Sequence, residues 1–437
     1  MAESGSTEWQ NWAGTYSVTP ARIVRPRNPE QVAAEVLRAV EENLSVKAMG
    51  SGHSFTDIAV TRGVMINLEL LTGIISADRH SGLVTVGAGT TLRELNIALW
   101  KMGLSLSNLG DIDAQTISGA IATGTHGTGK NFGGLATQVR ALQLVTAAGE
   151  ILECSTGSNP ELFAAARISL GALGIITAVT LQCEPAFVLH AAEAPADFDD
   201  LLEVMGVLEQ NDHFEFYWFP HTRRVLTKVN TRLPIETELK PPGRISGWLD
   251  DEFLSNTVFG GLNRLTTKRP RLIRRTNQIA ARALGEREYT DRSYKVFTST
   301  RRVVFREMEY AIPRKSLAYL LDEIDGWLKR SDELIGFPIE VRLAAADTIP
   351  LSTAYGRDTC YVAVHQYYRR PHERYFFAVE DIAREVGGRP HWGKLHYRSA
   401  DELAELYPRF GEFQRIRDRM DPERRFGNDY LRRVLGS

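Results

Sequence analysis

Met49-Gly50-Ser51-Gly52-His53-Ser54-Phe55 is the stretch on which the fold turns. It follows directly on Ser45-Val46-Lys47-Ala48-Met49, a run that reads as a short strand, so the chain passes from strand into glycine loop. Glycines let a backbone come close to a ligand and adopt positive φ. Successive N–H groups in such a loop can bind an anion such as a diphosphate. A second loop of the same character is Ser118-Gly119-Ala120-Ile121-Ala122-Thr123-Gly124-Thr125-His126-Gly127-Thr128-Gly129, whose hydroxyls add donors. Two common phosphate motifs are excluded. Gly50-Ser51-Gly52 is followed by His53 and lacks the third, helix-packing glycine of a Rossmann fingerprint, and no acidic residue ends a second strand at the expected distance. Gly129-Lys130 is followed by Asn131, where a Walker A loop needs Ser or Thr.

Around these loops, short strands alternate with glycine turns and helices. Asn28-Pro29-Glu30 predicts a helix start, with Asn as N-cap and Pro in the first turn, and Val32, Val36, Leu37 and Val40 recur at helical spacing. Thr91 and Glu94 predict a capping box for a helix through Leu99. Leu83-Val84-Thr85-Val86 and Ile175 to Leu181 read as strands. Leu142 to Val145 and Ile151 to Glu153, flanking Ala147-Ala148-Gly149, read as a hairpin. After about residue 186 the character changes to long aromatic strands such as His213-Phe214-Glu215-Phe216-Tyr217-Trp218-Phe219. A loop-rich basic stretch is expected from about Leu233 to Arg292. Strands resume at Arg302-Val303-Val304-Phe305, Ile339 to Leu343 and Tyr361 to Tyr367. This half predicts a broad antiparallel sheet with helices on one side.

The 437 residues suffice for two ordinary domains, and 43% apolar with 24% charged residues is a globular composition. A net charge of −2 gives no global field to attract nucleic acid or an anionic membrane. Lys268-Arg269-Pro270-Arg271 with Arg274-Arg275 reads as a solvated surface. Cys154, Cys183 and Cys360 form neither a disulfide framework nor a zinc pattern. Met1-Ala2-Glu3-Ser4 does not begin a signal peptide and no apolar run is long enough for a transmembrane helix, so a cytoplasmic protein is expected.

The catalytic half offers its own pattern. Side chains alternate along a strand, so in Ile339-Glu340-Val341-Arg342-Leu343 the pair Glu340 and Arg342 shares one face. In Tyr361-Val362-Ala363-Val364-His365-Gln366-Tyr367, His365 shares its face with Tyr361, Ala363 and Tyr367. A polar strip on a sheet is ordinarily its solvent side. Tyr217, Trp218 and Phe219 are read as core. His391 and His396 flank Lys394, but no third ligand is evident, and no metal is expected.

Six motifs in order now carry a resemblance. Met49 to Phe55 resembles the first flavin loop of the vanillyl-alcohol-oxidase superfamily, Thr123 to Gly129 its second, and Leu170-Gly171-Ala172-Leu173-Gly174-Ile175-Ile176 its adenine-side segment. Met308-Glu309-Tyr310-Ala311-Ile312-Pro313, His391-Trp392-Gly393-Lys394 and the ending Arg425-Phe426-Gly427-Asn428 resemble the aldonolactone oxidoreductases within it, the gulonolactone, arabinonolactone and galactonolactone oxidases or dehydrogenases. The similarity runs from Ile23 to Tyr430 and is strongest to the actinobacterial gulonolactone dehydrogenase type.

The resemblance implies an α+β fold. A two-subdomain FAD-binding domain over 1–185 would be joined by a cap domain with a large antiparallel sheet flanked by helices over 186–394. A C-terminal segment, 395–437, would return to the FAD domain. FAD would be held by Met49, Gly50, Ser51, Gly52, His53, Ser54, Gly110, Asp111, Ser118, Gly119, Thr123, Thr125, His126, Gly127, Gly174, Ile175 and Ile176. His53 is either the covalent attachment point at the flavin 8α-methyl, which is the expectation, or a partner of the loop backbone.

The implied reaction takes hydride from a ring CH–OH of an aldonolactone such as L-gulono-1,4-lactone to flavin N5, giving ascorbate or an analogue. An alditol oxidase is the alternative enzyme, and a flavin-binding protein without sugar chemistry the alternative of another class. Arg342 and Lys394 would supply positive charge, and Glu340 would orient Arg342 and bind a substrate hydroxyl. His365 would accept the proton or orient substrate. Gly110 stands where the family has alanine or glycine beside the oxygen-reacting carbon of the flavin. Glycine favours dioxygen as acceptor without excluding another. Asp111 stands where alditol oxidases often carry serine, which weakens that alternative.

Overall fold

The computed structural model describes residues 8–243, 259–299 and 303–437. The expected start at Met1 to Ser4 lies outside them, as does Arg302. The first helix, Pro29–Glu41, begins as its sequence requires: the Asn28 side chain accepts the Gln31 N–H, and Pro29 occupies a turn where no N–H is needed. Its buried face, Val32, Val36 and Ala39, covers a parallel three-stranded sheet. Val64–Asn67 is central there, between Arg22–Val24 and Val46–Met49.

A five-stranded antiparallel sheet follows, in the order Ile151–Ser155, Val139–Val145, Ile175–Gln182, Leu83–Gly87, Ile74–Asp78. Helix Leu92–Lys101 opens with both halves of the Thr91/Glu94 capping box. Both sheets drain into one apolar core, which also takes in Trp392, Phe426 and Tyr430 from the far end of the chain. These match the two subdomains that the resemblance implies over 1–185.

The second large unit is an eight-stranded antiparallel sheet. Its order is Arg287–Arg292, Phe187–Asp197, Arg224–Pro234, His213–Trp218, Ile339–Ala344, Thr359–Tyr367, Phe305–Pro313, Arg389–Pro390. Helices Phe198–Leu208, Leu317–Arg330 and Glu373–Glu385 cover one face. Strand alternation sends Ile339, Val341 and Leu343, with Val362 and Val364, into that layer. Glu340, Arg342 and His365 therefore turn the other way.

The polar strip is a covered face, as the resemblance implies, and not the ordinary solvent side of a sheet: Glu340 and Arg342 are each 7% exposed and His365 9%. Two expectations need correction. The stretch from Leu233 to Arg292 is not loop-rich where it is described. It forms helices Phe259–Lys268 and Ile273–Arg282 and an edge strand. Ile273, Asn277 and Ala281, four residues apart, make the inward stripe, and the Asn277 amide donates to the Pro220 and Ile335 carbonyls. The strand expected from Arg302 begins at Phe305 and runs on to Pro313, so the Met308 to Pro313 motif is itself a strand. The basic cluster between Lys268 and Arg275 lies at the surface as expected, and the three cysteines are free and buried. Among the described residues no helix is long and apolar enough to cross a membrane.

Candidate active site

Two cavities adjoin at Gln115, the first within the unit that holds the two smaller sheets and the second between it and the eight-stranded sheet. The first encloses about 880 Å³, open mouth included, between the strand Val46–Met49, the first glycine loop, the second loop and the adenine-side segment. Gly50, Ser51, Gly52, His53 and Ser54 line it, with Ser118, Gly119, Thr123, Gly174 and Ile176 opposite. Met49, Gly127 and Ile175 are absent from that lining; each is buried in the supporting wall.

Small residues are required here by contact. A Cβ on Gly50 would lie 2.4 Å from Thr116 Oγ1, and one on Gly174 2.6 Å from the Val145 carbonyl oxygen. Gly52 has φ +68°, and its carbonyl accepts the Trp12 N–H at 2.9 Å. A long cleft walled by glycine backbone, hydroxyls, one lysine and apolar side chains such as Trp9, Ile58, Leu68 and Leu170 fits a dinucleotide. His53 stacks on Trp12, ring centroids 5.6 Å apart, and neither of its nitrogens is hydrogen-bonded to a described residue. Burial first, and the Lys394 charge second, push its pKa below the ordinary histidine value.

The second cavity is smaller and different in kind. Its charged walls are Asp111, Glu307, Glu309, Glu340, Arg342 and Lys394. Gly110, Asp111, Thr125 and His126, expected around the cofactor, line this chamber and not the first cleft. Arg342 ion-pairs with Glu340, donates from Nε to Glu215 at 3.0 Å, and has Asp111 at 3.7 Å. Burial would lower its pKa, but Glu340, Glu215 and Asp111 together hold it well above the ordinary value. Lys394 Nζ donates to Glu307 at 2.5 Å, and burial is again outweighed, here by Glu307 and Glu309. Both cations are therefore permanent.

Glu307 also lies 3.6 Å from His365 Nε2, while His365 Nδ1 is 3.2 Å from the Pro338 carbonyl. Burial alone would raise Glu307; Lys394 and His365 keep it below the ordinary carboxylate value. Tyr217, assigned to the core by its sequence, points into this network and donates to Glu215 and Glu340 at 3.3 Å; Trp218 is the core residue.

Nothing in the linear sequence placed Glu215, Glu307 and Glu309 here. Glu307 and Glu309 are two apart on one strand, the same alternation that marks Glu340 and Arg342. Glu215 is a lone charge inside an aromatic strand, the signature of a paired buried group.

His391 does find partners, contrary to expectation: His126, Glu309 and His391 bring one potential ligand atom each within 4.8 Å of one another. Their hydrogen bonds argue against a cation. The Gly393 N–H donates to His391 Nδ1 at 3.1 Å, which occupies that lone pair and puts the proton of the ring on Nε2. His126 stacks on Tyr361 at 3.4 Å. Its nitrogens face the Gly127 carbonyl at 2.9 Å and Glu309 at 3.1 Å. His396 meets Tyr430 at 3.3 Å.

The second glycine loop is stitched to strand Ile339–Ala344. Gly129 N–H donates to Leu343 O at 2.9 Å, Leu343 N–H to Thr128 Oγ1 at 3.2 Å, and Ala345 N–H to Phe132 O at 3.0 Å. Loop and strand thus share a fixed register, and Glu340 and Arg342 cannot shift relative to the cofactor loop without breaking these bonds.

Residues 179–434 match the D-arabinono-1,4-lactone oxidase family and residues 20–155 an FAD-binding domain family. The chain is 45% identical to the L-gulono-1,4-lactone dehydrogenase of Mycobacterium tuberculosis over 434 residues, 98% of this chain and 99% of that one. It is 37% identical to the L-gulonolactone oxidase of Bos taurus over 438 residues, 98% of each. Cholesterol oxidase from Brevibacterium sterolicum shares the fold, with a TM-score of 0.77 at 17% identity over 98% of this chain and 96% of that one.

Proposed function

The chain belongs to the D-arabinono-1,4-lactone oxidase family of FAD-dependent oxidoreductases, and we propose that it oxidises L-gulono-1,4-lactone or a close relative at a ring CH–OH. Bound FAD supplies the hydride acceptor. The observation that carries the reading is the pair of permanent cations, Arg342 and Lys394, buried in one chamber beside the cofactor cleft. As the substrate hydroxyl loses its proton, negative charge grows on its oxygen, and fixed cations in a dry site lower that barrier. Glu340 holds the Arg342 fork and accepts a substrate hydroxyl. His365 has its Nδ1 proton on the Pro338 carbonyl, which leaves Nε2 to take the hydroxyl proton, and Glu307 beside it favours the cation formed.

His53 is the proposed attachment point. Its lowered pKa keeps the imidazole neutral and nucleophilic near pH 7. If the bond exists, yellow colour stays with the denatured polypeptide; free FAD in the supernatant rules it out. Gly110 has a steric reason of its own, since a Cβ would lie 3.0 Å from the His126 carbonyl oxygen. Readmitting air after reduction decides between dioxygen and another acceptor.

The function itself is tested by mixing the holoenzyme anaerobically with lactones and with polyols and following flavin absorbance. Lactones should bleach it. Bleaching by polyols and not by lactones would replace this reading with an alditol oxidase.

A further inference from the structure

Lys47 is a buried cation that lines the dinucleotide cleft with no carboxylate among the described residues in contact. Lys47 lies three residues before Gly50, is 3% exposed, and is the one lysine or arginine among the described lining of the dinucleotide cleft. Its ammonium donates to the Phe426 carbonyl at 3.1 Å and more weakly to the Gly171 carbonyl at 3.5 Å. An ammonium has three protons, and no carboxylate among the described residues takes the third. Asp421 acts on Lys47 through space only: no hydrogen bond or ion pair joins them, and its oxygens accept the Arg425 and Phe426 N–H groups at 2.7 and 2.8 Å. Arg417 opposes it, and burial pushes Lys47 down to about 7.

The surroundings give this cation two attachments. Gly171 belongs to the adenine-side segment. Phe426 belongs to the C-terminal segment, which also meets the same strand through Val46 N–H and the Arg425 carbonyl at 2.8 Å. A buried charge without a partner is costly, and such a cost is offset when a ligand of opposite charge arrives.

We propose that Lys47 binds the anionic, diphosphate-bearing half of the dinucleotide and, through the Phe426 carbonyl, ties the C-terminal segment to the loaded cleft. The glycine loop contributes neutral N–H groups to the same ligand; Lys47 contributes the charge. A purely structural Lys47 would brace the C-terminal segment equally with or without ligand.

The test uses the full chain carrying His53→Ala, so that no bond retains flavin, freed of cofactor and titrated calorimetrically with ADP and with adenosine. In that parent ADP should bind more tightly than adenosine. In Lys47→Met and Lys47→Gln that preference should shrink by about tenfold to a hundredfold, as expected for one lost charge-assisted contact. The ligand-free melting temperature of Lys47→Met should hold or rise, since an apolar side chain of similar volume replaces a buried charge.

A second readout is protonic. Lys47 is largely neutral in the empty cleft above about 7, and a bound anion raises its pKa. Binding therefore takes up a proton, and ADP affinity should fall from about pH 7.5 to 9.5, beyond the phosphate titration near 6. Of the charged groups that act on Lys47, Asp421 stays ionised across that window, and Arg417, which burial pushes down to about 10, begins to lose charge only at its upper end. Both variants should lose this slope. An unchanged preference for ADP in both variants, or equal losses for ADP and adenosine together with a lower ligand-free melting temperature, would overturn the proposal. If the parent itself fails to bind ADP, the diphosphate does not lie in this cleft and the assignment of the cavity falls with it.

Discussion

The two cavities that adjoin at Gln115 are built on opposite principles. The dinucleotide cleft is walled by glycines, hydroxyls and apolar side chains such as Ile58, Leu68 and Leu170, with a single lysine. The chamber beside it packs Asp111, Glu307, Glu309, Glu340, Arg342 and Lys394 against one another. The first recognises a large ligand by close approach and many neutral donors. The second concentrates charge where a reaction must separate it. Substitutions should divide accordingly: changes in the cleft alter how much flavin is held, and changes in the chamber alter how fast each bound flavin is reduced.

The largest expected effect is at Lys394. Lys394→Met strands the Glu307 carboxylate in the interior, which should cost about 3–5 kcal/mol in denaturant unfolding. Lactone-driven flavin reduction, followed anaerobically by stopped flow, should slow by about 10²–10³-fold. Full activity would break the division at its strongest point. His365→Asn comes next, with a loss of about 10²-fold or more in the reduction rate and a flattened pH profile if His365 takes the proton. An unaltered profile would leave it a substrate-orienting role. In the cleft, His53→Ala should release FAD on denaturation while the reduction rate per bound flavin stays within about tenfold, the scale of one lost local interaction. The smallest effect sharpens the boundary: Tyr217→Phe removes one hydroxyl from Glu215 and Glu340, and kcat should fall about three- to tenfold with flavin content intact.

The same contrast explains what the sequence could show. The cleft was legible because its parts are contiguous. Gly50 to Ser54 and Ser118 to Gly129 announce themselves as loops, and Asn28 and Thr91 as helix caps. The chamber is assembled from strands far apart in the chain: Glu215, Glu307, Glu340, His365 and Lys394 are neighbours only after the sheet has formed. Alternation put Glu340 and Arg342 on one face, and only the family resemblance marked that face as a covered one and not the solvent side. Which side of a sheet is covered depends on the partner domain, and no local pattern encodes that. The helices at Phe259–Lys268 and Ile273–Arg282 were hidden for a related reason, since their many basic residues mask a narrow inward stripe. Tyr217 went to the wrong face because its aromatic neighbours dominate that strand.

The most direct test of the account is single-turnover flavin reduction by L-gulono-1,4-lactone in Arg342→Lys. The substitution keeps the positive charge but removes the fork that spans Glu340 and Glu215. The account predicts full flavin content and a reduction rate lower by about 10²-fold, the scale of one misplaced charge-stabilising donor. A rate close to that of the unsubstituted enzyme would contradict it.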